Sequence, residues 1–494
     1  MGLSGGRQGV APTLQTRRQG LGSLQGLPRL LGPLLAAGVV LLGLNVPLVE
    51  DGLFWWVPQG AWVAEHGAAL SPAGDLPSTL AAALQGHDPI PQWSAGLPDY
   101  DHPPLWFWWL GLFLSVSPTV QAVHLALLLP AVIAARGWVA VAERLGSPWA
   151  GLAPLCLPPV LAQLWRPELD LPLLAVVPWA LVALNDRRWG AALALGLLAP
   201  WCKEPGVLLA APACLAALSS PGPRLARLGA GLAPLAGLGL WRLVHGRLAS
   251  PERLPADLGS WLLGVVARLA LVEQGRFLLI LGLPLLLLHL RRQPQRLRPA
   301  LLLGAFSLVW LAFFAAVGFF ATRDSEQSLT HVRYFLPGLC ALAVLLVSRL
   351  PPLALPGLLF LSARSPFGPE ASFYGLQAGL AERDAAPWIL EQVHQGRTVW
   401  IGSYQAAALL SPWGGVAEGP VPARSEGGGR RRIYAEATDP REPAPGDIVV
   451  EAAYGEPLGA LERALELSAL GAWARGEATV RAWQVQARRP AGTR

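Results

Sequence analysis

Two acids stand side by side at Glu50-Asp51, where the first apolar stretch of the chain ends, and a Trp-rich loop later comes Tyr100-Asp101-His102-Pro103-Pro104-Leu105. A lone carboxylate at a helix end needs no functional explanation, because even at mid-bilayer a charge costs only about 3 kcal/mol on insertion scales and can snorkel into water. A pair of carboxylates held near an ordered loop has a further use: one can take the proton of a hydroxyl while the other orients it. Further acids occur at Glu168 and Asp170 in Arg166-Pro167-Glu168-Leu169-Asp170, and cations at Lys203, in Trp201-Cys202-Lys203-Glu204-Pro205, and at Arg333, in His331-Val332-Arg333-Tyr334. Lys203 is the only lysine among 38 basic residues. A compact ammonium between apolar stretches suits an anion better than it suits a decorated surface. Each group also has a plainer reading: Glu50-Asp51 as a polar cap, Asp170 as ordinary helix N-terminal chemistry before Pro172, Lys203 as a local partner of Glu204, and Arg333 as a headgroup anchor.

The elements that must position these groups are membrane helices. With 53% hydrophobic and 14% charged residues over 494 positions and a mean hydropathy of +0.42, the chain is too apolar for a soluble globule. Stretches near 28–48, 119–142, 149–165, 170–184, 189–201, 205–219, 228–246, 276–290, 299–321, 333–349 and 351–363 read as spans, an α-helical polytopic protein of about 11 transmembrane helices. The first 29 residues hold Arg7, Arg17, Arg18 and Arg29 and no acid, whereas residues 49–102 hold seven carboxylates and neither Lys nor Arg. The positive-inside rule therefore puts the N-terminus in the cytoplasm and the loop at 49–118 outside. Counting onward leaves Arg144, Arg187-Arg188, Arg224 with Arg227, and the run Arg291 to Arg298 inside. The N-terminal stretch resembles a signal peptide but has no small-residue cleavage site, and reads as an uncleaved span.

Within the outer loop, Leu105 to Ser115 is too short to span and fits a helix lying in the interface, as does Trp261 to Glu273 in a second loop at 247–275. The tryptophans at 55, 56, 62, 93, 106, 108 and 109 form an interfacial belt on this reading, with stacking on a sugar as the alternative. Cys156, Cys202, Cys214 and Cys340 lie in or beside apolar stretches without metal-ligand spacing and read as packing residues. The acids Asp99 and Asp101 could hold a divalent cation, but no ligand set requires one. The net charge of +6 follows from the cytoplasmic arginines and gives no reason to expect nucleic acid.

The membrane part ends near residue 363, and residues 364–494 read as a small soluble α/β domain that an eleven-span count places outside. Its strands are expected at 398–401, 447–450 and 480–485, its helices at 381–394 and 457–467, and the Gly427 to Arg432 stretch as a solvated loop.

In order and spacing, four local patterns resemble the GT-C glycosyltransferases, in the branch that includes protein O-mannosyltransferases and the bacterial lipid A aminoarabinose transferase. They are Glu50-Asp51 after the first span, Asp101-His102-Pro103-Pro104-Leu105 before the interfacial helix, Lys203-Glu204-Pro205-Gly206 between two short spans, and His331 to Pro337 opening a late one. The resemblance implies inverting transfer of a sugar from a polyprenyl-phosphate carrier to a lipid, glycan or protein acceptor, at the periplasmic face of a bacterial inner membrane. It implies Asp51 as base with Glu50 beside it, Asp170 with Glu168, Arg166 and Asp101 around the acceptor, and Lys203, Arg333, His331 and His102 at the donor phosphate. The chain departs from the pattern in two places. Glu precedes Asp at 50–51, and Asp101 stands where many relatives have Lys before His-Pro-Pro, which weakens the link between that motif and phosphate. A transporter or flippase, or a non-catalytic member of the fold, is the rival. The absence of inverted repeats and the gathering of charges at outer span ends count against the transporter.

Overall fold

The computed structural model describes residues 26–46, 48, 56–66, 103–245, 296–321, 335–363, 369–401, 431–433, 443–451, 464–476 and 478–488. Helices dominate the first part: α1 (Pro28–Leu42), α2 (Val57–His66), α3 (Leu105–Val116), α4 (Val120–Arg144), α5 (Pro158–Gln163), α6 (Asp170–Asn185), α7 (Trp189–Cys202), α8 (Ala210–Ser219), α9 (Arg224–His245), α10 (Leu297–Ala321), α11 (Leu336–Val347) and α12 (Ala354–Ala363). Among the described residues, Val120–Arg144 and Leu297–Phe314 are long and apolar enough to cross a membrane, and the other apolar helices are shorter. The eleven-span count thus stays an expectation, and the stretches at 247–275 and 276–290 lie outside the described residues.

Proline explains where the expected spans break. The stretch 149–165 is not one helix but a 3-10 segment, Pro148–Cys156, followed by the short α5. Pro154, Pro158 and Pro159, which would lie inside a continuous helix, each lack the N–H that an α-ladder needs. Pro205 likewise falls in a 3-10 segment, Glu204–Leu209, which precedes α8.

α1 runs antiparallel to α4. Arg29 Nε meets Glu143 Oε1 at 2.7 Å near one end, and His124 Nε2 donates to the Val46 carbonyl at 2.8 Å near the other. At the first end, arginines meet three helix C-termini. The Arg296 guanidinium lies against the Gly146 turn that closes α4, Arg298 Nη2 donates to the Leu184 carbonyl of α6 at 2.7 Å, and Arg227 Nη1 donates to the Ala217 carbonyl of α8 at 3.1 Å. Cations there complement the helix dipole, each contributing about 0.3–1 kcal/mol. Arg144 Nη2 meets Asp186 Oδ2 at 2.5 Å at the same end. The charge pattern that the sequence assigns to one face of the membrane is thus gathered at one end of the bundle.

The short helix expected from Leu105 forms as α3. It packs on α2, with Gly60 against Leu110 and Gly111 against Val63. Trp106 and Trp56 are core residues rather than belt residues: Trp106 Nε1 donates to the Pro167 carbonyl at 2.8 Å, and Trp56 stacks on Phe107 with centroids 5.8 Å apart. An indole goes inside when its N–H finds an acceptor there, as that of Trp106 does.

The last part is an α/β unit. Helix α13 (Pro369–His394) lies against a mixed sheet of β1 (Val399–Ile401), β2 (Arg431–Ile433), β3 (Ile448–Glu451), β4 (Leu465–Arg475) and β5 (Ala478–Arg488), ordered β2-β1-β3-β5-β4. The β1 pairings are parallel, and β5 is antiparallel to both neighbours. Ile448 and Val450 face Ala381, Ala385 and Ile389 of α13, while Val449 joins Trp400 and Val485 on the opposite face, the period-2 alternation of a strand. Two expectations are corrected. Leu465 to Leu467 begin a strand rather than end a helix, because their alternation pairs with β5, and Arg431 and Arg432 are paired in β2 rather than lying in a solvated loop. α13 also packs against α5, which leads into the candidate site.

Candidate active site

Asp170 and Lys203 meet. The turn through Arg187 and Arg188 sends α7 back alongside α6, so the first residue of α6 and the residue after α7 share the end opposite the arginines. Lys203 Nζ stands 2.6 Å from Asp170 Oδ1, with side-chain exposures of 8% and 2%. The local fields favour this arrangement: Asp170 sits in the first turn of α6, where backbone N–H groups favour an anion, and Lys203 caps the C-terminus of α7, where carbonyls favour a cation. The backbone of Lys203 is extended (φ −162°, ψ 140°), which turns its side chain off the helix line. Its carbonyl then accepts from Gly206 N at 2.8 Å, and Gly206 lies so close to the Ala199 carbonyl that a Cβ would overlap it. The Lys-Glu-Pro-Gly spacing is therefore a tight turn with a steric reason for its glycine.

Glu168 is 1% exposed. Gln163 Nε2 donates to its Oε2 at 3.2 Å, and Arg166 Nη1 lies 3.9 Å from its Oε1. The loop carrying these groups is fixed from two sides, by Trp106 on the Pro167 carbonyl and by Trp165 Nε1 donating to the Val39 carbonyl of α1 at 2.6 Å. The Trp165 indole lies across Gly43, where any side chain would collide with it. Trp108 of α3 approaches Trp201, two residues before Lys203, with centroids 6.3 Å apart. A buried carboxylate–ammonium pair, a second buried carboxylate and an arginine thus converge at the end of an apolar bundle, where desolvation strengthens every electrostatic contact.

Of the residues singled out in the sequence, Asp170, Lys203, Glu168 and Arg166 are brought to this end. Glu50, Asp51, Asp101, His102, His331 and Arg333 lie outside the described residues, as do Asp99 and the tryptophans at 55 and 93. Their described neighbours are informative. Leu48, the last described residue before Glu50, and Trp56, the first after Asp51, belong to the apolar cluster that contains Leu164, Leu169 and Leu171 around the acidic loop. Pro103, next to His102, is buried at the start of α3. Gln163 and His124 were not anticipated. Both are polar groups in apolar stretches, which is the signal that would have flagged them. Among the described residues, no group of three or more His, Cys, Asp or Glu is placed to hold a metal ion.

Comparison with solved structures settles the architecture. ArnT from Cupriavidus metallidurans, bound to undecaprenyl phosphate, matches 92% of this chain and 97% of its own, with a TM-score of 0.51 at 15% sequence identity. The same protein in the apo state matches 94% and 98%, with a TM-score of 0.50 at 15% identity. The chain has the GT-C fold. Comparison with protein-family models and with curated protein sequences gives no match. At this identity the GT-C likeness concerns the path of the chain and not its substrates.

Proposed function

We propose that this GT-C chain is an inverting glycosyltransferase of a bacterial inner membrane, moving a sugar from a polyprenyl-phosphate carrier to an acceptor at the periplasmic face. The observation that carries the reading is the buried Lys203–Asp170 pair at the non-arginine end of a fold shared with an ArnT that binds undecaprenyl phosphate. Helix lengths favour a recess there: α6 and α7, of 16 and 14 residues, rise roughly 24 and 21 Å, short of a hydrocarbon core of about 30 Å. With their arginine-flanked turn at the cytoplasmic interface, their far ends stop beneath the opposite surface.

Chain reach allows the other carboxylates to approach this end. Glu50 and Asp51 follow Leu48 by two and three residues, so their Cα atoms stay within about 7 and 11 Å of its Cα. Leu48 itself packs in the cluster of Leu169 and Leu171, on either side of Asp170. In the proposed reaction the acceptor oxygen attacks the anomeric carbon on the face opposite the phosphate, the carbon–oxygen bond to phosphate breaks, and polyprenyl phosphate departs. Asp51 takes the hydroxyl proton, with Glu50 beside it. Asp170, Glu168, Arg166 and Asp101 shape the acceptor side, while Lys203 and Arg333, assisted by His331 and His102, neutralise the charge growing on the leaving phosphate. Until the donor arrives, Asp170 serves as counter-ion to Lys203. No nucleotide sugar is needed on this face, because the carrier lipid supplies both the sugar and the leaving group. The C-terminal α/β unit faces the same compartment, next to the acceptor.

The purified protein incubated with radiolabelled polyprenyl-phosphate sugars is expected to consume one of them, releasing polyprenyl phosphate and labelling an acceptor or water. Movement of intact donor across a bilayer would instead identify a transporter, and binding without turnover a non-catalytic relative.

A further inference from the structure

We propose that the exposed turn Arg187-Arg188, backed by Arg298 and flanked by Arg224, is a headgroup site for a phospholipid with a net-negative phosphodiester. The site lies at the end of the bundle away from Asp170 and Lys203 and stands independently of the sugar-transfer reading.

Arg187 and Arg188 are both exposed, between α6 and α7. Arg298 lies within electrostatic range of Arg187, its own guanidinium held by the Leu184 carbonyl and the Ser220 hydroxyl. Trp189 sits against Gly222, so the Gly222 to Leu225 segment with Arg224 adjoins the Arg187-Arg188 turn. Helix-end capping accounts for Arg227, Arg296 and Arg298 but not for Arg187, Arg188 or Arg224. The described acids at this end are engaged elsewhere: Glu143 meets Arg29, Arg136 and Arg144, and Asp186 is held by Arg144 while adding only a longer-range attraction for Arg188. The result is a concentration of positive charge at a surface, the arrangement that anionic lipid headgroups seek.

The backbone at Arg187 is an independent observation. Arg188 N reaches back to the Ala183 carbonyl at 2.9 Å, closing α6 with the turn in which the preceding residue is left-handed. That residue is Arg187, at φ 59°, and every other described positive-φ position is a glycine. The left-handed conformation is strained for arginine and costs glycine nothing, so the side chain has a reason to be there other than the turn. The surroundings favour a lipid over a free anion: Leu218 is 80% and Leu225 85% exposed on either side of the Gly222 turn, an apolar surface for acyl chains beside the charged one.

The test is thermal unfolding of the full chain in neutral detergent, titrated separately with phosphatidylglycerol, phosphatidylcholine and inorganic phosphate. Phosphatidylglycerol is expected to raise the melting temperature saturably, and the other two to leave it unchanged. The triple variant Arg187→Asn, Arg188→Gln, Arg224→Gln is expected to melt with the parent when no lipid is added, because asparagine tolerates the left-handed conformation and the other two side chains are exposed. It should bind phosphatidylglycerol at least about tenfold more weakly. Arg187→Asn alone should melt no lower than the parent and lose part of the lipid response, which keeps the test usable if the triple variant folds poorly. Unchanged phosphatidylglycerol affinity in the variants overturns the site. An equal response to inorganic phosphate overturns the lipid assignment, and an equal response to phosphatidylcholine overturns the role of charge.

Discussion

Replacing Lys203 with methionine is expected to destabilise the protein by about 3–5 kcal/mol, because it removes the cation that stands 2.6 Å from a buried carboxylate. The two side chains are only 8% and 2% exposed, so water cannot take over from the lost partner without opening the helix ends. Asp170→Asn should cost a comparable amount by removing the anion beside the buried ammonium. The double variant Asp170→Asn, Lys203→Met should recover much of the loss, since two neutral groups of similar size remove the uncompensated charge along with the attraction. Unfolding of all four proteins in the same micelles closes the cycle, and the expected sign is a double variant clearly more stable than the sum of the single losses. Additive losses would mean that the 2.6 Å contact is not an energetic pair.

The second large effect concerns chemistry rather than stability. Asp51→Asn keeps the shape of the side chain and removes the proton acceptor, so donor turnover is expected to fall by about 100- to 10,000-fold while the melting temperature stays near that of the parent. Glu50→Gln should reduce turnover less, as befits a neighbour that orients the base. Should Glu50→Gln be the silent enzyme and Asp51→Asn the active one, the two carboxylates exchange roles, which the reversed order of the pair in this chain makes worth measuring. Full turnover by both variants would remove the proposed base altogether.

The helices around the site were largely legible. The stretches that became α6 and α7 are apolar runs separated by Arg187 and Arg188, and length together with charge was enough to draw their limits to within a residue or two. What could not be read was the contact they make possible. Asp170 and Lys203 were each singled out by type and position, yet their meeting depends on two antiparallel helices of nearly equal length ending at the same level, 33 residues apart in sequence. Hydropathy also misjudged 149–165, where the apolar content of a span hides the closely spaced Pro154, Pro158 and Pro159 that interrupt the α-ladder. Trp106 and Trp56 were assigned to the interface because composition gives no sign of burial; for Trp106, that depended on a free Pro167 carbonyl. In the last α/β unit, Leu465 to Leu467 fit both a helical and an alternating pattern, and only the pairing with β5 decides between them.

Equilibrium binding of polyprenyl phosphate decides whether the end of the bundle holding Lys203 receives the phosphate of a lipid carrier. Wild type should bind it saturably, and the charge-neutral Asp170→Asn, Lys203→Met protein, with folding verified, at least about thirtyfold more weakly. Affinities that agree within about twofold would contradict the assignment of the phosphate to this site.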